Sequence, residues 1–308
     1  MTGYENHAGF TISGSKLQVV EIDNYENQFY LENVDEAYFN ESLNFEKDKE
    51  TKISALLQGA FNEIILRKPL KAGSISFTLP FELFHTAQLP YDNTLLHQDL
   101  IEEFRWELSV LYPFVSTKNM VIQYIEIEKN EIIPYNSALV IGLQRKYLQV
   151  LNNFCEQNKL KLKFVDNIHF AAEKALEINA PEATSGLILS VYIFNKYLSI
   201  IFSFNGKPVH FSTIPLNDAS EIPGHIIRAL TPKENFNINK EKLTASFITG
   251  DGLSNSIVQT LSDTLDIDFI QFNPFEKIKP QPKLLDNKFY SEQFASFAPA
   301  AGIAFRVA

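Results

Sequence analysis

The sequence predicts an α/β protein built from two successive units, because an opening of antiparallel strands followed by helices and further strands occurs twice along its 308 residues. The first opening is 9–22 (GFTISGSKLQVVEI), two β-rich runs around a Gly/Ser turn. The second is 187–214, where two apolar strands are joined tightly and Asn205-Gly206, a hairpin dipeptide, leads into a third strand. At 45% hydrophobic residues, a chain of this length buries a full core.

The elements follow in order. A polar, acidic, asparagine-rich stretch, 23–50, separates the first hairpin from a helix whose apolar face is Ile53, Leu56, Leu57, Ala60, Phe61, Ile64 and Ile65 and which stops before Pro69. A strand at 74–79 ends at Pro80, and an apolar stretch closes at Leu89-Pro90. Asp92, Asn93 and Thr94 are N-cap candidates for the next helix, striped by Leu96, Leu100, Phe104, Leu108 and Leu111 and ended by Pro113. Strands at 121–128 and 137–142, a helix at 145–158, a strand at 160–165 and a helix at 167–178 complete the first half. After the second meander come helical segments at 221–230 and 240–243 and a strand at 245–248. The turn Thr249-Gly250-Asp251-Gly252 then leads into a helix to about Leu265 and a strand at 268–272.

Composition excludes several functions. The net charge is −10 and the 27 basic residues are scattered, which leaves no stripe for a phosphate backbone and argues against nucleic acid. The lone Cys155 makes no internal disulfide and lies on a helix face with Tyr147, Leu148, Leu151 and Phe154, the setting of a small buried hydrophobe. The six histidines (His7, His85, His97, His169, His210, His225) are dispersed, with no i, i+4 carboxylate spacing expected, so zinc is not supported. No Gly-x-Ser-x-Gly turn or Cys/His pairing marks a nucleophile. MTGYENHAG lacks a signal peptide's basic and apolar regions, and no run is long enough to cross a bilayer, so a cytoplasmic location is expected.

Several stretches resemble, in order, those of the actin-like ATPases of the PilM type, which are similar to FtsA. The segment 99–114 (DLIEEFRWELSVLYPF) resembles that family's acidic helix with Arg-Trp-Glu and a closing Pro-Phe, and 77–90 (FTLPFELFHTAQLP) its repeated strand and Leu-Pro pattern. Further on, 164–176 (FVDNIHFAAEKAL), 248–261 (ITGDGLSNSIVQTL), Phe272-Asn273-Pro274-Phe275 and 298–306 (APAAGIAFR) resemble the family's later segments. The resemblance implies a duplicated actin-like ATPase (ribonuclease H-like) fold. Its first subdomain would be 1–73 with 144–185, an inserted FtsA/PilM-like α+β subdomain 74–143, its second subdomain 186–216 with 246–308, and a shortened mobile subdomain 217–245.

In that family two β-hairpins hold the nucleotide phosphates, each with an Asp two residues before a Gly. Laid on this chain, the first Asp, Gly and Lys fall on Thr11, Ser13 and Gln18, and the second Asp and Gly on Tyr192 and Phe194. Both carboxylates are thus missing, and a ring stands where phosphate would approach backbone, which argues against ordinary ATP hydrolysis. Vestigial nucleotide contacts would be Ser13, Gly14 and Ser15, and Gly250, Asp251 and Gly252. The resemblance therefore implies a cytoplasmic pseudo-ATPase that scaffolds a type IV pilus or related secretion assembly. It would self-associate into a ring or filament and dock the PilN-like cytoplasmic tail of an inner-membrane protein. Recognition would use Phe77, Leu79, Phe81, Leu89, Trp106 and Phe114; Arg105 and Glu107, which flank Trp106, read as a solvated or inter-subdomain salt-bridging pair rather than an acid/base couple. No metal is expected, and ATP only under the alternative reading, a nucleotide-binding switch or ATPase with an altered metal site.

Overall fold

A computed structural model describes residues 6–25, 28–233 and 236–306; residues 1–5, on which the reading of the N-terminus partly rests, lie outside the described residues. The chain divides into two compact units, Met1–Leu83 with Lys146–Asn179 and Phe272–Ala308, and Phe84–Arg145 with Ala180–Gln271. In chain order the elements begin with β1 (His7–Ile12), β2 (Lys16–Tyr25), β3 (Gln28–Tyr38), α1 (Glu50–Arg67), β4 (Ser74–Leu79) and β5 (Phe84–Pro90). Next are α2 (His97–Leu111), β6 (Met120–Ile127), β7 (Ser137–Gln144), α3 (Arg145–Gln157), β8 (Lys161–Asn167) and α4 (Ile168–Asn179). The second half holds β9 (Leu187–Phe194), β10 (Tyr197–Phe204), β11 (Lys207–Pro215), α5 (Ile222–Ala229), β12 (Leu243–Gly250) and α6 (Asn255–Leu265). Last come β13 (Phe269–Gln271), β14 (Lys279–Pro280), α7 (Lys288–Ser291) and α8 (Ala298–Phe305).

Both large sheets repeat one topology. The first unit's sheet runs β14-β3-β2-β1-β4-β8 and the second unit's runs β11-β10-β9-β12-β13. In each, an antiparallel meander of three strands is extended on its first strand by two parallel ones. The second unit also contains the three-stranded antiparallel sheet β5-β7-β6, covered by α2. Gln88 of β5 ties it to β11, its Nε2 donating to Val209 O at 3.0 Å.

In the first unit, strand alternation decides which helix covers which face. Phe10 and Phe77 lie side by side in register with ring centroids 5.5 Å apart, facing Phe61 of α1 and Phe154 of α3. Gly9 and Thr11 face the other way, where α8 lies so close that a Cβ on Gly9 would overlap Ala300 O. A Cβ on Gly302 of α8 would overlap Ala171 O of α4 in the same manner. Every residue of α8 is buried, as the Ala/Gly composition of this helix allows.

Three boundaries differ from expectation. The 23–50 stretch contains β3, an eleven-residue strand hidden by its polar sequence. Its buried Glu32 and Glu36 are held by Lys71 and Lys16, so acids occur inside a stretch to which the sequence pattern assigned no element. The strand 74–79, expected in the inserted subdomain, pairs with β1 and β8 and belongs to the first unit; the insertion starts at Phe84. The C-terminal part of 246–308, expected in the second subdomain, returns to the first unit from Phe272 because α8 packs on β1 and α4.

Smaller corrections concern local chemistry. Leu96, not Asp92, Asn93 or Thr94, occupies the N-cap of α2 and makes no side-chain cap bond. Asp92 Oδ1 instead accepts from the backbone and hydroxyl of Thr94 at 2.8 and 2.7 Å, closing a turn upstream. At 240–243 a 3₁₀ turn, Lys240–Lys242, replaces the expected helix, stabilised by Asn239 accepting from Lys242 N. No helix among the described residues is long and apolar enough to cross a membrane.

Two glycine substitutions test the packing with opposite signs. Gly302→Ala forces α8 from α4 and is expected to cost at least about 1–3 kcal/mol. Gly59→Ala, in the exposed middle of α1 with nothing within 4 Å of its new methyl group, is expected to stabilise by about 1 kcal/mol. Urea unfolding of the two variants measures both.

Candidate functional site

The first hairpin turn is bound up in its own hydrogen bonds. Ser13 Oγ accepts from Lys16 N at 2.9 Å and from Ser15 N at 3.2 Å, and Ser13 N donates to Lys16 O at 3.0 Å. The carbonyls of Gly14 and Ser15 accept from Leu43 N and Phe39 N, both at 2.8 Å, which ties the turn to the chain after β3. Ser13 is buried, while the Ser15 side chain is exposed. The three residues singled out by sequence thus form one compact turn, in which Ser13 serves the turn itself.

Behind the turn lies a row that crosses three strands. Thr11 pairs in register with Thr78, and Thr78 with Asp166. Thr78 Oγ1 donates to Thr11 Oγ1 at 2.9 Å. Asp166 is paired with Arg306 from the end of α8. Burial pushes the Asp166 carboxyl up from its ordinary value, and the Arg306 guanidinium opposes that rise. The nearest cation to the turn, Lys16, donates to Glu36 Oε2 at 3.0 Å in a buried pair, and Gln18 Nε2 donates to the same oxygen at 3.0 Å and to Ser296 Oγ at 3.2 Å. Diverting Lys16 to an anion would leave Glu36 buried without its cation, a loss of about 3–5 kcal/mol. The sequence reading missed Lys16, Glu36, Asp166 and Arg306; the strand spacing of Lys16 and Gln18 was the available signal, but it required β3 to be recognised opposite them.

In the second unit, Gly250, Asp251 and Gly252 lie beside the end of β9. Gly250 pairs with Ile193 and Thr249 with Tyr192. Gly250 has φ +143°, and a Cβ there would overlap Ile193 O, so only glycine fits. Asp251 N donates to Ile193 O at 3.0 Å. Tyr192 and Phe194 are both buried, with ring centroids 6.3 Å apart. Burial first, and then the nearby Asp251 carboxylate, pushes the Tyr192 hydroxyl well above its ordinary range, so it stays neutral. Ser13–Ser15 and Gly250–Gly252 belong to different units.

The six residues expected to bind a partner separate by burial. Phe77, Leu79 and Phe81 are buried, which corrects their assignment, since a buried side chain cannot line a docking surface. Leu89 packs partly buried against the cluster of Leu100, Phe104, Leu108, Met120 and Val140. Trp106 and Phe114 are exposed. Arg105 does not pair with Glu107: its Nη1 donates to Thr117 O at 2.5 Å and Met120 O at 3.2 Å, and its Nε reaches Glu102 at 3.4 Å. Among the described residues no group of three or more His, Cys, Asp or Glu is placed to hold a metal ion. Two histidines nevertheless sit i, i+4 from glutamates, His169 with Glu173 at 3.9 Å and His225 with Glu221 at 4.0 Å, against the expectation of no such spacing. Cys155 is buried, and desolvation pushes its thiol up to about 12.

Solved structures share this architecture. One chain of a PilM-PilN type IV pilus biogenesis complex superposes with a TM-score of 0.75 at 17% identity, covering 98% of each chain. A Bacteroides thetaiotaomicron protein with an actin-like ATPase fold and unknown function gives 0.53 at 12% identity, over 87% of this chain and 91% of that one. The chain has the actin-like ATPase fold. The ethanolamine utilization protein EutJ from Carboxydothermus hydrogenoformans gives 0.51 at 8% identity, over 97% and 88%. No family model and no curated protein matches the sequence. The resemblance drawn from the sequence assigns phosphate holding to the two hairpins. Here the first carries a threonine pair and an internal Lys–Glu bridge, and the second carries two buried aromatic side chains.

Burial of three histidines predicts that acid destabilises the fold. Desolvation holds His7 and His210 at about 4 and His169 at about 3, below the ordinary 6.5. Their folded values are depressed, so the unfolded chain binds more protons below pH 6.5. The stability they contribute is full above that pH and is lost as pH falls toward 4, at up to about 1.4 kcal/mol per pH unit for each. Urea midpoints measured from pH 7 to pH 4.5 are expected to fall, and His7→Gln, which keeps a polar partner for Ser76, is expected to flatten that fall.

Proposed function

We propose that this protein is a cytoplasmic scaffold of a type IV pilus or related secretion assembly, which docks the cytoplasmic tail of an inner-membrane partner and does not hydrolyse ATP. The whole-length likeness to a chain of a PilM-PilN complex carries the reading. Support for the loss of hydrolysis comes from the hairpins. Hard cations need oxygen ligands, and the two positions that would supply carboxylates are Thr11, bonded to Thr78, and the buried Tyr192. Phosphate needs close backbone approach, and Phe194 fills the position where a glycine would allow it.

Calorimetric titration with ATP and magnesium is expected to give no heat and no thermal shift. Binding of micromolar order, about −8 kcal/mol, would favour a nucleotide-dependent switch using the Gly250–Gly252 turn. Affinity capture from solubilised membranes with the full chain is expected to recover a pilus- or secretion-type membrane component, and deletion of the gene to remove the surface appendage. Capture of no such component, with an unchanged appendage, would remove the scaffold reading.

A further inference from the structure

Helix α2 has one dry side and one bare side. Leu100, Phe104 and Leu108 point into the core of the three-stranded sheet. At 100° per residue, the opposite side carries Asp99, Glu102, Glu103, Trp106 and Val110. Trp106 is 63% exposed and Val110 56%, and Phe114, just beyond the helix end, is fully exposed. Trp106 and Val110 stand one turn apart on the same side of the helix, and an exposed indole beside an exposed isopropyl group gives this side the character of a contact surface.

Charge says what kind of contact. Glu102 and Glu103 lie one turn before Trp106, and Asp99 stands three and four residues before them, spacings at which like charges weaken a helix. Arg105 is turned toward the carbonyls of Thr117 and Met120 and reaches only Glu102, at 3.4 Å. An aromatic face bordered by carboxylates suits a guanidinium, which stacks on the ring while its N–H groups donate to the acids. The cytoplasmic segments beside membrane spans are where Lys and Arg concentrate. An anionic membrane surface or a nucleic acid would be repelled by the same three carboxylates.

We infer that the outer face of α2 binds the Lys/Arg-bearing cytoplasmic segment next to the partner's membrane span. An arginine stacks on Trp106 between Glu102 and Glu103, and an apolar residue of the same segment covers Val110 and Phe114. The inference rests on the docking reading above and adds the chemistry of the partner.

Trp106 is the only tryptophan of the chain, so its fluorescence reports on this face alone. The full-length protein is titrated with an amidated peptide of three alternating leucine–arginine pairs, and with the same peptide carrying glutamate for arginine. A saturable change in Trp106 emission is expected with the arginine peptide only, weakened by salt. E102Q/E103Q should raise the dissociation constant at least tenfold. E241Q/E292Q, which removes the same charge at exposed positions elsewhere, should leave it within twofold. The absence of a saturable change, or an equal loss in both double variants, would overturn the inference in favour of diffuse attraction to an acidic protein. Sedimentation of the free chain as a dimer that shields Trp106 would overturn it as well, by assigning the face to a second copy. Undiminished capture of the membrane partner by E102Q/E103Q would reject this surface and leave the docking reading standing. Failure of the wild-type chain to capture any membrane protein would reject the docking reading, and the peptide titration would still decide the surface.

Discussion

The first unit depends on how closely α8 approaches the sheet. Among the described residues of the first unit, Gly9 on β1 and Gly302 on α8 are the two glycines where a side chain would overlap a neighbouring carbonyl, and their bare backbones let the helix lie against β1 and α4 together. Consequences follow along that face of the sheet. Ser296, just before the helix, reaches Gln18, and Arg306, just after it, reaches Asp166. The C-terminal residues thus complete the polar row that begins with Thr11 and Thr78. A unit assembled from three separate chain segments is closed by the last of them.

The second unit uses the same device once, at Gly250, whose positive φ brings the end of β12 over Ile193. Polar demand near both hairpins is met largely from within. Ser13 closes its own turn, Lys16 neutralises Glu36, and Tyr192 is held neutral by burial and by the charge of Asp251.

The acidic, aromatic outer face of α2 contrasts with these satisfied interiors. Its inner stripe accounts for the stability of the small subdomain, while Trp106, Val110 and Phe114 remain in solvent at a cost that packing within the chain does not offset. The proposed partner contact would cover that surface, and the surrounding carboxylates would restrict which partners gain from it.

By itself the sequence determined the duplicated α/β order, because hairpin dipeptides, prolines and apolar periodicity act locally and survive without tertiary context. The identities of Thr11 and Tyr192, where the resemblance would place carboxylates, are likewise read directly from the sequence. Strand β3 was illegible because its acids are buried against lysines and a glutamine from other segments, so its polar sequence showed no strand alternation. The core role of Phe77, Leu79 and Phe81, the exposure of Trp106 and Phe114, and the pairing of Asp166 with Arg306 were decided by the tertiary structure alone. Burial and ion pairing depend on which segments meet, and α8 meets β1 across nearly the whole length of the chain.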